Sequence, residues 1–244
     1  MVDFHSHILP GMDDGAKKTE DSLALLHMTK EQRISAIVAT PHFYADREKP
    51  DNFCQRRYAA AKALAEVLPA RMPKIYIGAE VAYFGGIGRS EQLKELCILG
   101  TKTVLVEMPF SSWSEAVIND LRGISDNLGL LPVIAHIERY IGFQNREMIF
   151  RLLENGVRIQ SNAEYFTGFF SKRKAISMLA QNQIQFIGSD CHNTTTRAQN
   201  MRKAMIEISK RIGREALEYV TETSELQLSG AVTLDQLFIN NLNR

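Results

Sequence analysis

The sequence predicts an α/β barrel of seven parallel βα units, distorted or incompletely closed, with a metal cluster at the C-terminal rim of its strands. Three observations carry that expectation. Short β-branched runs alternate with longer helix-compatible stretches along the 244 residues, the element order that builds a parallel sheet. The runs are continuously apolar, as in Ala36-Ile37-Val38-Ala39 and Thr103-Val104-Leu105-Val106, which suits strands covered on both faces. Six of the seven runs end in a histidine or an acid, and five of the six histidines sit at those ends. A barrel gathers ligands in this way, strand by strand, at its C-terminal face.

The first strand, about 2–5, runs into His5-Ser6-His7, and the helix after it, about 19–33, opens at Thr19 with Leu23, Leu25, Leu26 and Met28 for one inward face. The second strand, about 35–40, meets Pro41 and ends at His42, before a helix at 53–68. A third strand at 74–79 ends at Glu80, with a helix at 89–97. The fourth, 103–107, ends at Glu107 before a helix at 114–128, and the fifth, 131–136, ends at His136 before a helix at 145–154. The sixth, 157–161, ends in Gln160-Ser161-Asn162 with no ligand and precedes a helix at 172–182. The seventh, 185–189, leads to Asp190-Cys191-His192, with a helix at 198–211 and a helical tail near 213–222 and 233–242. No repeat or low-complexity linker divides the chain, so one domain over 1–244 is expected.

Composition narrows the function classes. Lys and Arg total 29 against 28 Asp and Glu, so a broad nucleic-acid or membrane-surface footprint is not expected. Arg56-Arg57 and Lys172-Arg173-Lys174 read as solvated helix faces. No apolar run approaches bilayer length and no signal segment precedes His5. Cys54, Cys97 and Cys191 are odd in number and lack C-x-x-C spacing, which argues against a disulfide framework. These features predict a soluble cytoplasmic protein without membrane insertion; they leave its oligomeric state open.

The chemistry lies on the rim. His5 and His7, two apart on a strand, point to one face and form a chelating pair. Asp190 and His192 repeat that spacing at the seventh strand, which neighbours the first if the sheet closes. Glu80 and Glu107 end apolar strands, where a buried carboxylate is costly without a cation or strong hydrogen bonds. An ordinary ion pair accounts for either one alone, and less well for both beside histidines. Asp13 and Asp14 lie in the turn Pro-Gly-Met-Asp-Asp-Gly; turn aspartates are commonly just that, and Asp14 is taken as a ligand only in this company. The set holds eight or nine nitrogen and oxygen donors and no thiolate. That suits two or three bridged ions of Mn²⁺, Fe or Zn²⁺, able to generate hydroxide at neutral pH and neutralise a transferring phosphoryl group. Arg139 and Arg197 follow His136 and His192 in post-strand loops, and a guanidinium fork matches phosphate oxygens.

The segments Asp-Phe-His-Ser-His-Ile-Leu-Pro-Gly-Met-Asp-Asp-Gly-Ala, Ala-Thr-Pro-His, Ala-His-Ile-Glu-Arg-Tyr and Gly-Ser-Asp-Cys-His resemble the polymerase-and-histidinol-phosphatase (PHP) superfamily. Within it the chain resembles the bacterial capsular-polysaccharide protein-tyrosine phosphatases, over residues 1 to about 205. The resemblance implies a distorted (β/α)₇ TIM-like barrel holding three divalent ions, manganese or iron as a rule. It places His5, His7, Glu80 and Asp190 on the first, Glu80, Glu107 and His136 on the second, and Asp14, His42 and His192 on the third. It makes Arg139 and Arg197 the phosphate-binding arginines. It implies as substrate the tyrosine-phosphorylated tail of a membrane-associated bacterial tyrosine kinase controlling capsule or exopolysaccharide assembly. The Gly85–Gly88 loop and the C-terminal tail are less familiar in that company.

Phosphotyrosine hydrolysis is therefore the leading expectation. Twelve of the 20 aromatic residues fall in the loops after strands two to six: Phe43, Tyr44, Tyr83, Phe84, Phe110, Trp113, Tyr140, Phe143, Tyr165, Phe166, Phe169 and Phe170. Such a rim could pack a tyrosyl ring, although capping of the core is the expectation for most of them. Cys191 and Arg197 have the C-x₅-R spacing of cysteine-dependent phosphatases, read here as a coincidence because no glycine separates them and metal ligands flank the cysteine. A small-molecule phosphatase, such as one acting on histidinol phosphate, is the alternative enzyme. A non-catalytic metal or docking module fits less well with every ligand and both arginines in place. His27, in the first helix, reads as structural.

Overall fold

The computed structural model describes residues 1–242; positions 243 and 244 of the expected domain lie outside the described residues. Strands β1 (Val2–Ser6), β2 (Ala36–Ala39), β3 (His42–Phe43), β4 (Lys74–Ile77), β5 (Glu80–Ala82), β6 (Thr103–Glu107), β7 (Leu131–Ile134), β8 (Arg158–Asn162) and β9 (Phe186–Gly188) are all parallel. They form two ladders, β1-β2-β4 and β3-β5-β6-β7-β8-β9. The two ends of the array meet: His7 N–H donates to Cys191 O and Asp190 N–H to His5 O, both at 2.9 Å. The seven-unit distorted barrel is thus present. Its second and third strands are each broken in two, because Pro41 has no N–H for the ladder and Gly78 lies where a Cβ would sit 3.0 Å from Ile98 Cγ1.

Helices α1 (Thr19–Glu31), α2 (Pro50–Val67), α3 (Glu115–Asp126), α4 (Arg146–Glu154), α5 (Lys172–Ala180) and α6 (Met201–Ile212) cover the outside, followed by α7 (Glu215–Gln227) and α8 (Leu234–Leu242). Local chemistry sets several starts. Pro50 begins α2, Ser114 Oγ accepts from Val117 N–H, and Asn145 Oδ1 accepts from Met148 N–H. Thr19 does not cap α1; Lys18 is the cap residue, and the Asp21 carboxylate accepts the N–H groups of Lys17 and Lys18. The expected helix at 89–97 is instead two 3₁₀ turns, Ile87–Arg89 and Glu91–Leu96. Gly88 presses against α3 so closely that a Cβ would lie 2.3 Å from Asp120 O, and Asn127 Nδ2 donates to its carbonyl. Within the Gly85–Gly88 segment the tight packing is at Gly88; a Cβ at Gly85 would meet nothing within 4 Å.

Two apolar layers follow from parallel strands buried on both faces. Inside the ring, Val2, Phe4, Val38, Leu105, Val133, Ala135 and Phe186 form a compact core, with Phe4 and Phe186 stacked at 4.0 Å. Outside it, the helices bury Leu25, Leu64, Leu121, Leu152 and Ile208 against the strands. The tail closes the N-terminal end, where Leu228 joins the inner core and Val232 N–H donates to Leu99 O. The opposite end is open to chemistry.

Candidate metal centre

All nine candidate ligands converge at that C-terminal end. In the β3/β5 ladder His42 pairs directly with Glu80, and in the β5/β6 ladder Ala82 pairs with Glu107, which brings three strand ends side by side. Closure of β1 on the segment after β9 adds His5, His7, Asp190 and His192. Glu80 lies at the centre: His5 Nε2 is 3.6 Å and His136 Nε2 2.7 Å from its Oε1, while His7 Nε2 is 3.4 Å and His42 Nδ1 2.9 Å from its Oε2. Asp190 Oδ1 stands 3.4 Å from both His5 Nε2 and His7 Nε2. Asp14, the most exposed member, approaches His192 Nε2 at 3.3 Å and His42 Nε2 at 3.6 Å. Glu107 reaches His136 at 3.7 Å and His42 at 3.9 Å. Four overlapping groups have donor atoms close enough to share an ion: His7/Asp14/His42/His192, His5/His7/Asp190, His5/Glu80/His136 and His42/Glu80/Glu107.

The fit to cations is visible atom by atom. His5 Nε2, His7 Nε2, His42 Nδ1, His192 Nε2, Glu80 Oε2 and Asp190 Oδ1 are buried without a hydrogen-bond partner. Leaving such atoms unpaired is expensive. In three of the histidines the other ring nitrogen is already engaged: His5 Nδ1 on Thr40 Oγ1 at 2.6 Å, His7 Nδ1 on Asp13 Oδ2 at 2.7 Å, and His192 Nδ1 on Asp190 O at 2.9 Å. An imidazole that donates from Nδ1 turns the lone pair of Nε2 inward, the arrangement of metal-binding histidines. Burial works against its charge, yet the surrounding histidines hold Glu80 well below the carboxylate range. Burial together with neighbouring Glu80 pushes Glu107 the other way. His192 is lowered to about 4 by burial and by neighbouring His7, so its imidazole is uncharged at neutral pH.

Both arginines border the cluster. Arg139 and Arg197 contact one oxygen, Asp190 Oδ2, at 2.5 and 2.8 Å. They line a cleft of about 590 Å³ with Asn162, Tyr165 and Lys203. Cys191 is fully buried and burial pushes its thiol upward, which removes the thiolate reading.

The protein-family model described as "Capsular polysaccharide synthesis, CpsB/CapC" matches residues 1–226. The chain belongs to this family. Among CpsB/CapC relatives, the tyrosine-protein phosphatase YwqE of Bacillus subtilis is 32% identical over 242 residues, covering 93% of this chain and 91% of that protein. The tyrosine-protein phosphatase CpsB of Streptococcus pneumoniae is 32% identical over 229 residues, covering 87% and 91%. A crystal structure from work on YwqE of B. subtilis and CpsB of S. pneumoniae, described as unique metal-dependent tyrosine phosphatases, superposes with a TM-score of 0.80 at 30% identity, covering 95% of this chain and 96% of that one.

Sequence reasoning missed how this CpsB/CapC site is held. Asp13, read as a turn residue, accepts from His7 Nδ1, from His42 N–H at 2.9 Å and from Gly15 N–H at 2.9 Å. Gln160 accepts from His136 N–H, and Asn162 Nδ2 donates to Asp190 Oδ2 at 2.9 Å, so the sixth strand, which offers no candidate ligand, orients the candidate ligands of its neighbours. Tyr140 is no rim aromatic: it is buried, its hydroxyl 3.0 Å from His136 Nδ1 and accepting from Met108 N–H. Phe43, Trp113 and Phe166 are also core, whereas Tyr165 lines the cleft. His136 and Asp190 adopt left-handed backbone with φ of 32° and 54°, a strained conformation that concentrates at functional sites.

Proposed function

We propose that the chain is a metal-dependent protein-tyrosine phosphatase using His5, His7, Asp14, His42, Glu80, Glu107, His136, Asp190 and His192 as metal ligands and Arg139 and Arg197 as phosphate-binding groups. The observation carrying this reading is the set of buried imidazole and carboxylate atoms left unpaired around Glu80. Four carboxylates and two guanidiniums share the basin, so a phosphate dianion enters only after cations offset the acids. His5, His7, Asp190 and Glu80 would hold one divalent ion, Glu80, Glu107 and His136 a second, and Asp14, His42 and His192 a third. Manganese is the preferred metal; iron and zinc accept the same donors. When bound, the ions supply positive charge to the phosphoryl oxygens and lower the pKa of water.

The chain's own residues do the rest. Arg139 and Arg197, fixed side by side by one Asp190 oxygen, clamp the phosphoryl oxygens where charge develops. Tyr165, half-buried in the cleft wall, gives the tyrosyl ring an aromatic face. Phenolate, with a pKa of about 10, leaves with less protonation than an alkoxide requires.

The substrate in this reading is the phosphorylated tyrosine tail of a membrane-associated bacterial kinase governing capsule assembly, met in the cytoplasm. The family's capsular-polysaccharide description and its phosphatase members support it. None of the described helices is long and apolar enough to cross a membrane. The test compares kcat/KM on a phosphotyrosine peptide and on histidinol phosphate with the metal-loaded full chain. Preference for the peptide is expected; preference for histidinol phosphate would assign the cluster to small-molecule hydrolysis.

A further inference from the structure

The loop leaving β8 ends in a feature the metal centre does not use. Phe169 and Phe170 are 82% and 92% exposed, the two most exposed large apolar side chains among the described residues. Their rings pack edge to face, centroids 4.9 Å apart. Directly behind them, Lys172, Arg173 and Lys174 fill the first turn of α5, which contains no acid. Both choices oppose folding. Two phenyl rings in water forgo the burial that stabilises a core, and three cations sit on the positive end of a helix dipole. Lys203 and Lys210 of α6 are exposed nearby, one turn either side of a half-exposed Ile206. Glu207 of α6 is 4.0 Å from Lys172 Nζ and 3.2 Å from Arg211 Nε, and Glu164 is exposed on the same loop; Arg173 and Lys174 remain exposed.

We propose that this tip, Phe169 and Phe170 backed by Lys172, Arg173 and Lys174, docks the protein on an anionic lipid surface. Aromatic rings settle at the headgroup level while basic side chains meet the anionic charge. A second copy is a poor occupant, because a twofold contact sets the cations of one tip against those of the other. A peptide is a poor one too, since peptides bind grooves or edges. The adjoining cleft is lined from this loop by Glu164, Tyr165, Thr167, Gly168 and Ser171, and by neither phenylalanine. That same cleft contains Arg139, Asp190 and Arg197, so docking turns the mouth of the site toward the lipid. The balanced net charge of the chain hides this surface, because the signal is confined to six residues, Phe169–Lys174.

The test is co-sedimentation of the full chain with phosphatidylcholine vesicles, with and without phosphatidylglycerol, at about 0.15 M salt. Binding to the mixed vesicles and not to the neutral ones is expected. Phe169→Ser/Phe170→Ser and, separately, Arg173→Glu/Lys174→Glu should each lower the partition coefficient by about tenfold or more. Thermal melting and turnover of a small soluble phosphotyrosine substrate should be unchanged. A wild-type chain that stays in solution, or variants that sediment like it, would overturn the proposal. So would a wild-type dimer that the phenylalanine variant abolishes, which assigns the tip to a second copy. A KM for a soluble acidic phosphopeptide that rises as far as vesicle binding falls would assign it to substrate and overturn it equally. Sedimentation is read without turnover, so its failure leaves the phosphatase reading intact.

Discussion

Asp13→Asn tests how the candidate ligands are held. The carboxylate makes three bonds: Oδ2 accepts from His7 Nδ1 at 2.7 Å and His42 N–H at 2.9 Å, and Oδ1 from Gly15 N–H at 2.9 Å. An amide oriented to keep the first two as neutral bonds turns its NH₂ against the Gly15 N–H. Oriented the other way, it donates to His7 Nδ1, moves the imidazole proton to Nε2 and spoils the atom 3.4 Å from both Glu80 and Asp190. Charge-assisted bonds contribute about 1.5–3 kcal/mol each and neutral ones about half that, so either orientation costs about 2–4 kcal/mol locally. Partners that orient ligands commonly change metal affinity by about 10–100-fold, and that shift is expected here. The assay is phosphotyrosine-peptide turnover against free Mn²⁺ in a chelator-buffered series. Half-saturating metal should rise by that factor while kcat at saturating metal stays near wild type, since Asp13 touches no substrate. A half-saturating concentration within twofold of wild type, or a kcat lost at unchanged metal affinity, would refute the positioning role.

Arg139→Lys and Arg197→Lys should each lower kcat/KM on the same peptide by about tenfold or more, because a point charge replaces a bidentate fork; melting temperatures should hardly move. Cys191→Ser should retain most activity, and native protein should resist iodoacetamide, since the thiol is buried and pushed away from thiolate. A hundredfold loss in that variant would restore the thiolate mechanism. In Gly188→Ala the new Cβ would lie 2.6 Å from His5 Cβ and 2.8 Å from His5 N. Displacing β1 in this way should cost about 1–3 kcal/mol and weaken metal binding, read together by thermal melts and metal titration. Unchanged metal affinity would show that His5 is not placed by this contact.

The barrel and the convergence of its candidate ligands were legible because one rule governs both. Apolar parallel strands carry their chemistry at their C-terminal ends, so reading the last residue of each run found His5, His7, His42, Glu80, Glu107, His136, Asp190 and His192. Asp14 came with them from the loop after the first strand. What stayed hidden depends on contacts between distant segments, which leave no periodicity. Thr40 beneath His5 and Gln160 beneath His136 are ordinary strand residues until the register is known. Asp13 looked like turn chemistry because its partner His42 is 29 residues away. Tyr140 was grouped with the rim aromatics because spacing does not reveal that its hydroxyl turns inward to His136. The 3₁₀ turns in place of an α-helix at 89–97 follow from Gly88 packing on α3, a tertiary constraint that overrides local propensity.

The proposed hydrolysis of phosphotyrosine requires metal at this rim. The most direct measurement strips the full chain with a chelator and returns Mn²⁺, Fe²⁺ and Zn²⁺ one at a time, for wild type and Glu80→Gln, following phosphate release from a phosphotyrosine peptide. Activity should disappear on stripping, return in wild type with at least one ion, and not return in the variant at the same concentration. Activity that survives stripping, or that returns equally with Glu80 replaced, would contradict it.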